Sequence, residues 1–259
     1  GTASSTKKMD YLIQRAKKAG IDTFVIDVYG RNKHYAANIA KVRQAGIRYV
    51  ARVVVYPYGA RTHQVRDRKL LYNRLARAKY AVSLGASAIQ LDYIRYHRLT
   101  PASVYNELNI FEVIKFFRRN INPNVNLQID IFGVAAHRPT RTIGQNAKLF
   151  APVLNSINPM VYPSHYEPFR HHAVRPYSTV MDSVAALRKQ LANYPNVKVF
   201  AYIELSNYRY PMSYQKKVQY IKAQMQGARD GGANGWYAWS ANNHYKILFN
   251  MLDAANSKR

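Results

Sequence analysis

The segment Leu84-Gly-Ala-Ser-Ala-Ile-Gln-Leu-Asp-Tyr-Ile-Arg95 joins the end of a predicted helix to a predicted strand. Gly85 stands where a helix needs a left-handed terminating residue. The residues after it alternate between aliphatic and polar side chains, which is typical of a β-strand. Asp92 lies near the end of the alternating segment, with Arg95 just beyond it. The stretch therefore predicts a helix that stops, a strand that begins at once, and a charged group at the carboxyl end of that strand.

The same junction recurs along the chain. It is found again at Ala19-Gly20-Ile21, Ala45-Gly46-Ile47 and Gly231-Gly232-Ala233. In each case an amphipathic stretch ends in glycine and a β-branched or aromatic run follows within a few residues. Four such junctions predict one β-α unit repeated around a parallel sheet.

Seven strands are predicted from these patterns: Phe24–Tyr29, Tyr49–Tyr56, Ala88–Ile94, Asn126–Gly133, Ser156–Pro163, Val197–Leu205 and Gly235–Ser240. A (β/α)8 barrel needs eight strands, and this chain opens with a predicted helix, Lys7–Ala19. We therefore expect an α/β fold, a single TIM-type barrel domain over residues 1–259, whose first strand is short or missing and lies in or before Gly1–Ser5. A doubly wound open sheet is the alternative, but the sequence contains neither of the glycine-rich phosphate turns that such sheets carry.

Alternation within the strands predicts a site rather than a plain core, because successive side chains point to opposite faces of a sheet. One face is aliphatic throughout, as at Ile89 and Leu91. The other face is polar on almost every strand: Asp27, Arg52, Gln90, Asp92, Gln128, Asp130, Asn158, Tyr162, Tyr202 and Glu204. Buried charges cost several kcal/mol unless they are paired. So many convergent polar groups indicate a ligand site at the carboxyl-terminal rim of the barrel.

Three of the chain's 13 Asp and Glu residues are the candidate catalytic groups: Asp92, Asp130 and Glu204. Glycoside hydrolysis uses two carboxyl groups, one protonated to donate to the leaving oxygen and one ionised to attack carbon or activate water. Counting the missing strand first, these residues end the fourth, fifth and seventh strands. The alternative for each is a salt bridge with Arg52 or Arg95 that holds the barrel mouth.

Aromatic and polar residues near the same rim are candidates for substrate binding, because sugar rings pack their C–H faces on aromatic side chains. His165 is expected to donate a hydrogen bond to a hydroxyl or a carboxylate. The predicted binding set is Asp27, Arg52, Gln90, Tyr93, Arg95, Tyr162, His165, Tyr166, Tyr202, Trp236 and Trp239. Neither a metal site nor a cofactor is expected, since no H-E-x-x-H occurs and His171 and His172 are adjacent.

The formal net charge of +26 predicts attraction to polyanions. The basic residues are spread along the whole chain and no nucleic-acid-binding motif is present, so nucleic acid is an unlikely partner. No apolar run is long enough to span a bilayer. The absence of cysteine suits a reducing cytoplasm or a bacterial exported protein whose signal has been removed, and we favour an exported or cell-envelope location. Oligomeric state stays open.

Six segments carry a resemblance: Val25-Ile-Asp-Val28, Ala51-Arg-Val-Val-Val55, Ile89-Gln-Leu-Asp-Tyr-Ile-Arg-Tyr96, Asp130-Ile-Phe-Gly133, Asn158-Pro-Met-Val-Tyr-Pro-Ser-His-Tyr166 and Gly235-Trp-Tyr-Ala-Trp-Ser240. In this order they resemble a bacterial family of predicted glycoside hydrolases with an α-amylase-like (β/α)8 barrel. The resemblance implies a sugar-cleaving enzyme with Asp92 as the leading catalytic residue and Asp130 as a second acidic position. It also implies a strand before Gly1–Lys7. Tyr29-Gly30 and Glu204 depart from the family pattern, which more often has Lys-Asp and Gln at these places.

The function expected from these features is hydrolysis of a polysaccharide by a two-carboxylate mechanism, with an anionic polysaccharide favoured by the charge. The alternatives are an inactive barrel that binds glycan or another polyanion, and a nucleic-acid-binding protein. The choice of partner for Asp92 stays open between Glu204, by its strand position, and Asp130, by the resemblance.

Overall fold

A computed structural model of the chain describes residues 2–257 and contains seven parallel strands. Each overlaps the strand that the sequence predicts, and no strand end differs from its predicted position by more than three residues. They are β1 (Thr23–Asp27), β2 (Arg48–Val54), β3 (Ala88–Asp92), β4 (Asn126–Phe132), β5 (Ser156–Met160), β6 (Lys198–Glu204) and β7 (Gly235–Trp239). The fifth strand stops before its predicted end because Pro163, which has no N–H to donate, opens a 3-10 turn over Pro163–His165.

Helices alternate with the strands: α1 (Thr6–Ala19), α2 (Lys33–Gln44), α3 (Arg68–Ser83), α4 (Val104–Asn120), α5 (Gly133–His137), α6 (Ala147–Phe150), α7 (Phe169–Ala173), α8 (Pro176–Gln190), α9 (Tyr214–Asp230) and α10 (Lys246–Asn256). The predicted glycine junctions are confirmed, since Gly20, Gly46, Gly85 and Gly232 all have φ between 73° and 91°. Residues with a Cβ rarely adopt this left-handed conformation. It ends the preceding helix and releases the chain into the next strand.

The strand order is β1-β2-β3-β4-β5-β6-β7, all parallel, which is the order of a TIM-type barrel wound in sequence. Within residues 2–257, β1 pairs with β2 and β7 with β6, and no pairing joins β1 to β7. The barrel is therefore open by one strand. Thr2–Ser4 form a 3-10 turn and contribute no strand, and Gly1, where the sequence also allowed one, lies outside the described residues.

Burial differs around the sheet. All five residues of β3 are buried, whereas all five of β7 are partly exposed. On the closed strands the aliphatic face packs against the helices, with Ile89, Leu91, Ile129 and Ile131 fully buried. The predicted alternation is thus confirmed for the closed strands, and their polar face is directed to the barrel interior.

Behind the gap, α1 and α10 pack against each other. Arg15 of α1 donates from Nη2 to Asp253 Oδ2 and to Asn250 Oδ1, each at 3.0 Å, and both partners lie on α10. The open seam is therefore bridged on its outer side by a helix pair. Within the described residues, no helix is long and apolar enough to cross a membrane.

Candidate active site

A cavity of about 1690 Å3 extends through the barrel interior to the carboxyl ends of the strands. Asp27, Arg52, Asp92 and Asp130 all contribute to its lining. Neighbouring strands place them side by side, since Asp27 pairs with Arg52 in the β1–β2 register and Asp130 with Asn158 in the β4–β5 register. Strands of one parallel sheet end at the same edge, so the predicted meeting of these groups is observed.

Arg52 joins two of the carboxylates. Its Nε and Nη2 donate to Asp92 Oδ2 at 2.8 and 2.6 Å, and its Nη1 donates to Asp27 Oδ1 at 2.5 Å. Burial opposes the charge on the guanidinium, but Asp92 and Asp27 outweigh it and raise the pKa of Arg52. The second oxygen of Asp92 accepts the backbone N–H of Tyr93 at 2.6 Å. Asp92 is therefore held as an ion-paired carboxylate in a fixed orientation.

Asp130 has the opposite electrostatic setting. It is 2% exposed, and its described side-chain hydrogen bond is the one that it accepts from Asn158 Nδ2 at 3.1 Å. Burial, and then the negative charge of Asp92, raise the pKa of Asp130 well above 3.8, although Asn158 and Arg52 oppose the shift. The two carboxyl groups thus differ in environment in the way that separates a proton donor from an ionised partner.

Glu204, the third predicted catalytic carboxylate, lies outside the cavity lining and is fully buried. Its oxygens accept hydrogen bonds from the Ser164 N–H and hydroxyl, both at 2.8 Å, and from the Tyr220 hydroxyl at 2.6 Å. His165 Nδ1 lies 3.2 Å from Oε2. This arrangement fixes the 3-10 turn over Pro163–His165 beneath the cavity mouth and leaves Glu204 no open approach for a substrate.

Aromatic rings surround the mouth next to this turn. Tyr162 stacks on Trp239 with ring centroids 4.9 Å apart, and His165 and Tyr208 lie edge-on or tilted against the same indole at 6.0 and 5.7 Å. Burial, followed by the charges of Asp130 and Asp92, raises the pKa of Tyr162. Tyr208 was not predicted. Its position in the loop directly after β6, at the functional end of a barrel, is the signal that could have identified it.

A network of hydrogen bonds between side-chain amides and hydroxyls lies below the carboxylates. The Tyr202 hydroxyl donates to Gln90 Oε1 at 2.7 Å, and Gln90 Nε2 donates to Gln128 Oε1 at 3.1 Å. Asn158 donates to both Gln128 and Asp130. Gln90, predicted to bind substrate, is fully buried and outside the cavity lining. It therefore supports the floor of the site.

The remaining predicted residues divide into two groups. Tyr93 and Tyr166 line the cavity, and Tyr93 has a positive φ of 51°, an unusual conformation next to Asp92. Arg95 is buried behind the lining, with its guanidinium 4.7 Å from the Phe132 ring and 5.5 Å from the Tyr93 ring. Trp236 also borders the cavity, but it packs against an apolar cluster on the side of α9 and α10, formed by Ile203, Leu205, Ile221, Leu248 and Met251. Trp236 and Trp239 are three positions apart on one strand, which places them on opposite faces.

No group of three or more His, Asp or Glu side chains within residues 2–257 is arranged to hold a metal ion.

Comparison with known proteins places this geometry in context. Residues 62–245 match the model of a family described as "putative glycosyl hydrolase domain". Among solved structures, the spore cortex-lytic enzyme SleL of Bacillus cereus superposes with a TM-score of 0.65 at 8% identity, covering 95% of this chain and 70% of that one. A chitinase of Chromobacterium violaceum superposes with a TM-score of 0.62 at 10% identity, covering 98% and 97%. These similarities show the shared barrel fold. No curated protein matches the sequence.

Proposed function

The chain belongs to this glycosyl hydrolase domain family, and we propose that it cleaves a polysaccharide with Asp130 as proton donor and Asp92 as the ionised partner. The observation that carries the proposal is the contrast between these two carboxyl groups in one cavity. Asp130 is buried with a raised pKa, and Asp92 is ion-paired to Arg52.

In the proposed mechanism Asp130 protonates the oxygen of the departing sugar. A carboxylic acid can do this near neutral pH only if its pKa is raised, and burial beside Asp92 supplies that shift. When the donor loses its proton, the new charge is stabilised by Asn158, which already donates to Asp130 Oδ1.

Asp92 acts as nucleophile or as base toward water. Arg52 and the Tyr93 N–H hold its two oxygens in a fixed orientation. Charge-assisted hydrogen bonds of this kind are strong, so they also lower the reactivity of the carboxylate that accepts them. Asp27 holds the far side of Arg52 and shares its charge.

Substrate binding is assigned to the aromatic rings at the mouth. The half-buried rings of Trp239 and Tyr162 and the exposed ring of Tyr208 are suited to the apolar faces of sugar rings, while His165 is placed to bond a hydroxyl. Glu204 acts indirectly, by fixing the turn that carries His165.

The substrate is proposed to be an anionic polysaccharide, because a net charge of +26 draws polyanions from solution. We extend the proposal to an exported or cell-envelope location, where polysaccharides of bacteria accumulate.

The test is hydrolysis of a panel of neutral and acidic polysaccharides by the wild type and by Asp92→Asn. The amide is nearly isosteric with the carboxylate, so the variant should melt within a few degrees of the wild type. Its turnover should fall by about three or more orders of magnitude, as expected for loss of a nucleophile or base. Asp230→Asn, an exposed carboxylate on α9, is the matched control and should leave turnover unchanged.

A non-catalytic barrel that binds glycan is the second candidate. It is favoured by the hydrogen bonds to Asp92, because both oxygens of this carboxylate already accept from a donor within the protein. Binding of a glycan by a wild type that hydrolyses none of the panel would select this candidate. Undiminished hydrolysis by Asp92→Asn would remove Asp92 from the mechanism.

A further inference from the structure

One wall of the cavity carries side chains that the proposed chemistry does not use. His137 ends α5, Arg138 follows it, and His172 lies in α7. All three line the same cavity as Asp92 and Asp130. General acid and base catalysis on a neutral sugar requires no basic group at this place.

The two imidazoles are held by hydroxyl groups of α8. His137 Nε2 lies 2.9 Å from Ser183 Oγ, and His172 Nδ1 lies 3.0 Å from Thr179 Oγ1. Tyr166 lies between them, with ring centroids 6.3 Å from His137 and 5.3 Å from His172, and its hydroxyl is 2.9 Å from Ser183 Oγ. The row His137–Tyr166–His172 is therefore an ordered part of the wall rather than a set of loose surface groups.

The positive charge of this wall comes from Arg138, while Glu167, next to Tyr166, brings a carboxylate to the same lining. The Arg138 side chain is exposed to the cavity and makes no hydrogen bond or ion pair with any of residues 2–257. Burial lowers the pKa values of His137 and His172, so both are mainly neutral hydrogen-bonding groups at pH 7. Asp182 opposes this shift for both imidazoles, while His171 and Arg175 reinforce it for His172.

We propose that Arg138, His137 and His172 form a subsite for an anionic substituent of the glycan, such as the carboxylate of a uronic acid. Arginine offers a planar set of donors that matches a carboxylate, and the neutral imidazoles supply further hydrogen bonds. The inference rests on the proposed function, because it takes the same cavity as the place where a glycan binds. The general positive charge attracts a polyanion, and this subsite fixes its position.

The test measures binding of matched probes by calorimetry. Hexagalacturonate and a hyaluronan hexasaccharide are each compared with their methyl esters, which keep the sugar chain and lose the charge. The Asp92→Asn variant is used so that no probe is cleaved. A salt concentration of about 0.3 M shortens the Debye length below about 8 Å and suppresses attraction by distant charges.

At least one acid probe should bind more tightly than its ester, and Arg138→Gln should weaken that acid about tenfold or more while leaving the ester unchanged. Arg119→Gln is the matched control, since Arg119 is exposed at the far end of α4 and lies outside the cavity. It should change binding less than about twofold, as expected for a screened distant charge.

Equal affinity for every acid and its ester would overturn the inference, as would equal losses from the two arginine substitutions. Binding of a single-stranded oligonucleotide as tightly as the best acid probe would also overturn it, in favour of a general polyanion surface. Hydrolysis of neutral glycans alone would leave the proposed cleavage of a polysaccharide intact, but it would reject both the anionic substrate and the subsite. Arg138-dependent binding of an acid probe by a wild type that hydrolyses no glycan of the panel would support the subsite and reject the proposed hydrolysis.

Discussion

The closed and open sides of the barrel differ in packing, and they contribute differently to the candidate site. On the closed side, β4 lies between two paired neighbours, and Asp130 is 2% exposed. On the open side, β1 has one neighbour, and the Asp27 side chain is 32% exposed. The same residue type therefore has a strongly raised pKa on one side and a partly solvated ion pair on the other. Burial, and after it the negative charge of Asp92, is what raises the pKa of Asp130 on the closed side.

The largest difference between the closed and open sides is expected in the loss of kcat when an aspartate of each side is substituted. Asp130→Asn should lower kcat by about 10² to 10⁴, the usual loss for a general acid, because asparagine cannot donate that proton. Asp27→Asn should lower kcat by about tenfold or less, since Asp92 still holds Arg52 and solvent screens the Asp27 pair. Steady-state kinetics on whichever glycan is cleaved would measure both. Equal losses would show that the closed side has no special part in catalysis.

Truncation of side chains on the two sides should change the free energy of unfolding in the same order, with a smaller difference. Ile129→Ala in β4 removes a fully buried side chain and should cost about 2–5 kcal/mol of unfolding free energy. Val25→Ala in β1 truncates a partly exposed side chain at the seam and should cost about 1 kcal/mol or less. Urea denaturation of the two variants gives the comparison. A cost at Val25 as large as at Ile129 would mean that the seam is closed in solution.

The pH dependence of stability should show the smallest effect. Because the native pKa of Asp130 is raised, the folded state binds more protons than the unfolded state between about pH 3.9 and the native pKa. The contribution of Asp130 is thus fully present below about pH 3.9 and is lost as pH rises through the native pKa. The stability of the wild type relative to Asp130→Asn should therefore fall across this window, by about 1.4 kcal/mol per unit of pKa shift. Denaturation at several pH values would detect this, and a flat difference would argue against a raised pKa.

Much of this organisation was predictable from the sequence, because its causes are local. The four glycine junctions follow from the left-handed backbone that ends a helix, and the polar face follows from the two-residue period of a strand. The same period would also have shown that Trp236 faces away from Trp239. These rules act within a few residues, so a single sequence contains the information they need.

The part that was not predictable depends on contacts between distant residues. Glu204 ends a strand in the predicted manner, yet Ser164 and Tyr220 cover its oxygens, 40 and 16 positions away in the chain. Gln90 likewise lies outside the cavity lining, and its Oε1 accepts a hydrogen bond from Tyr202, 112 positions away. No pattern along one strand contains these partners. The two-residue period of a strand predicts which side chains lie on the inner face. It does not predict whether a substrate can reach them.

A carboxyl-carbon NMR titration of protein labelled with 13C at aspartate tests the central claim most directly. The Asp130 signal is identified by its loss in Asp130→Asn, and its chemical shift is followed from about pH 3 to pH 8. This carboxyl group should titrate well above 3.8, because it is buried beside Asp92. Titration at or below that value would contradict the central claim, because Asp130 would then be ionised near neutral pH and could not act as the proton donor.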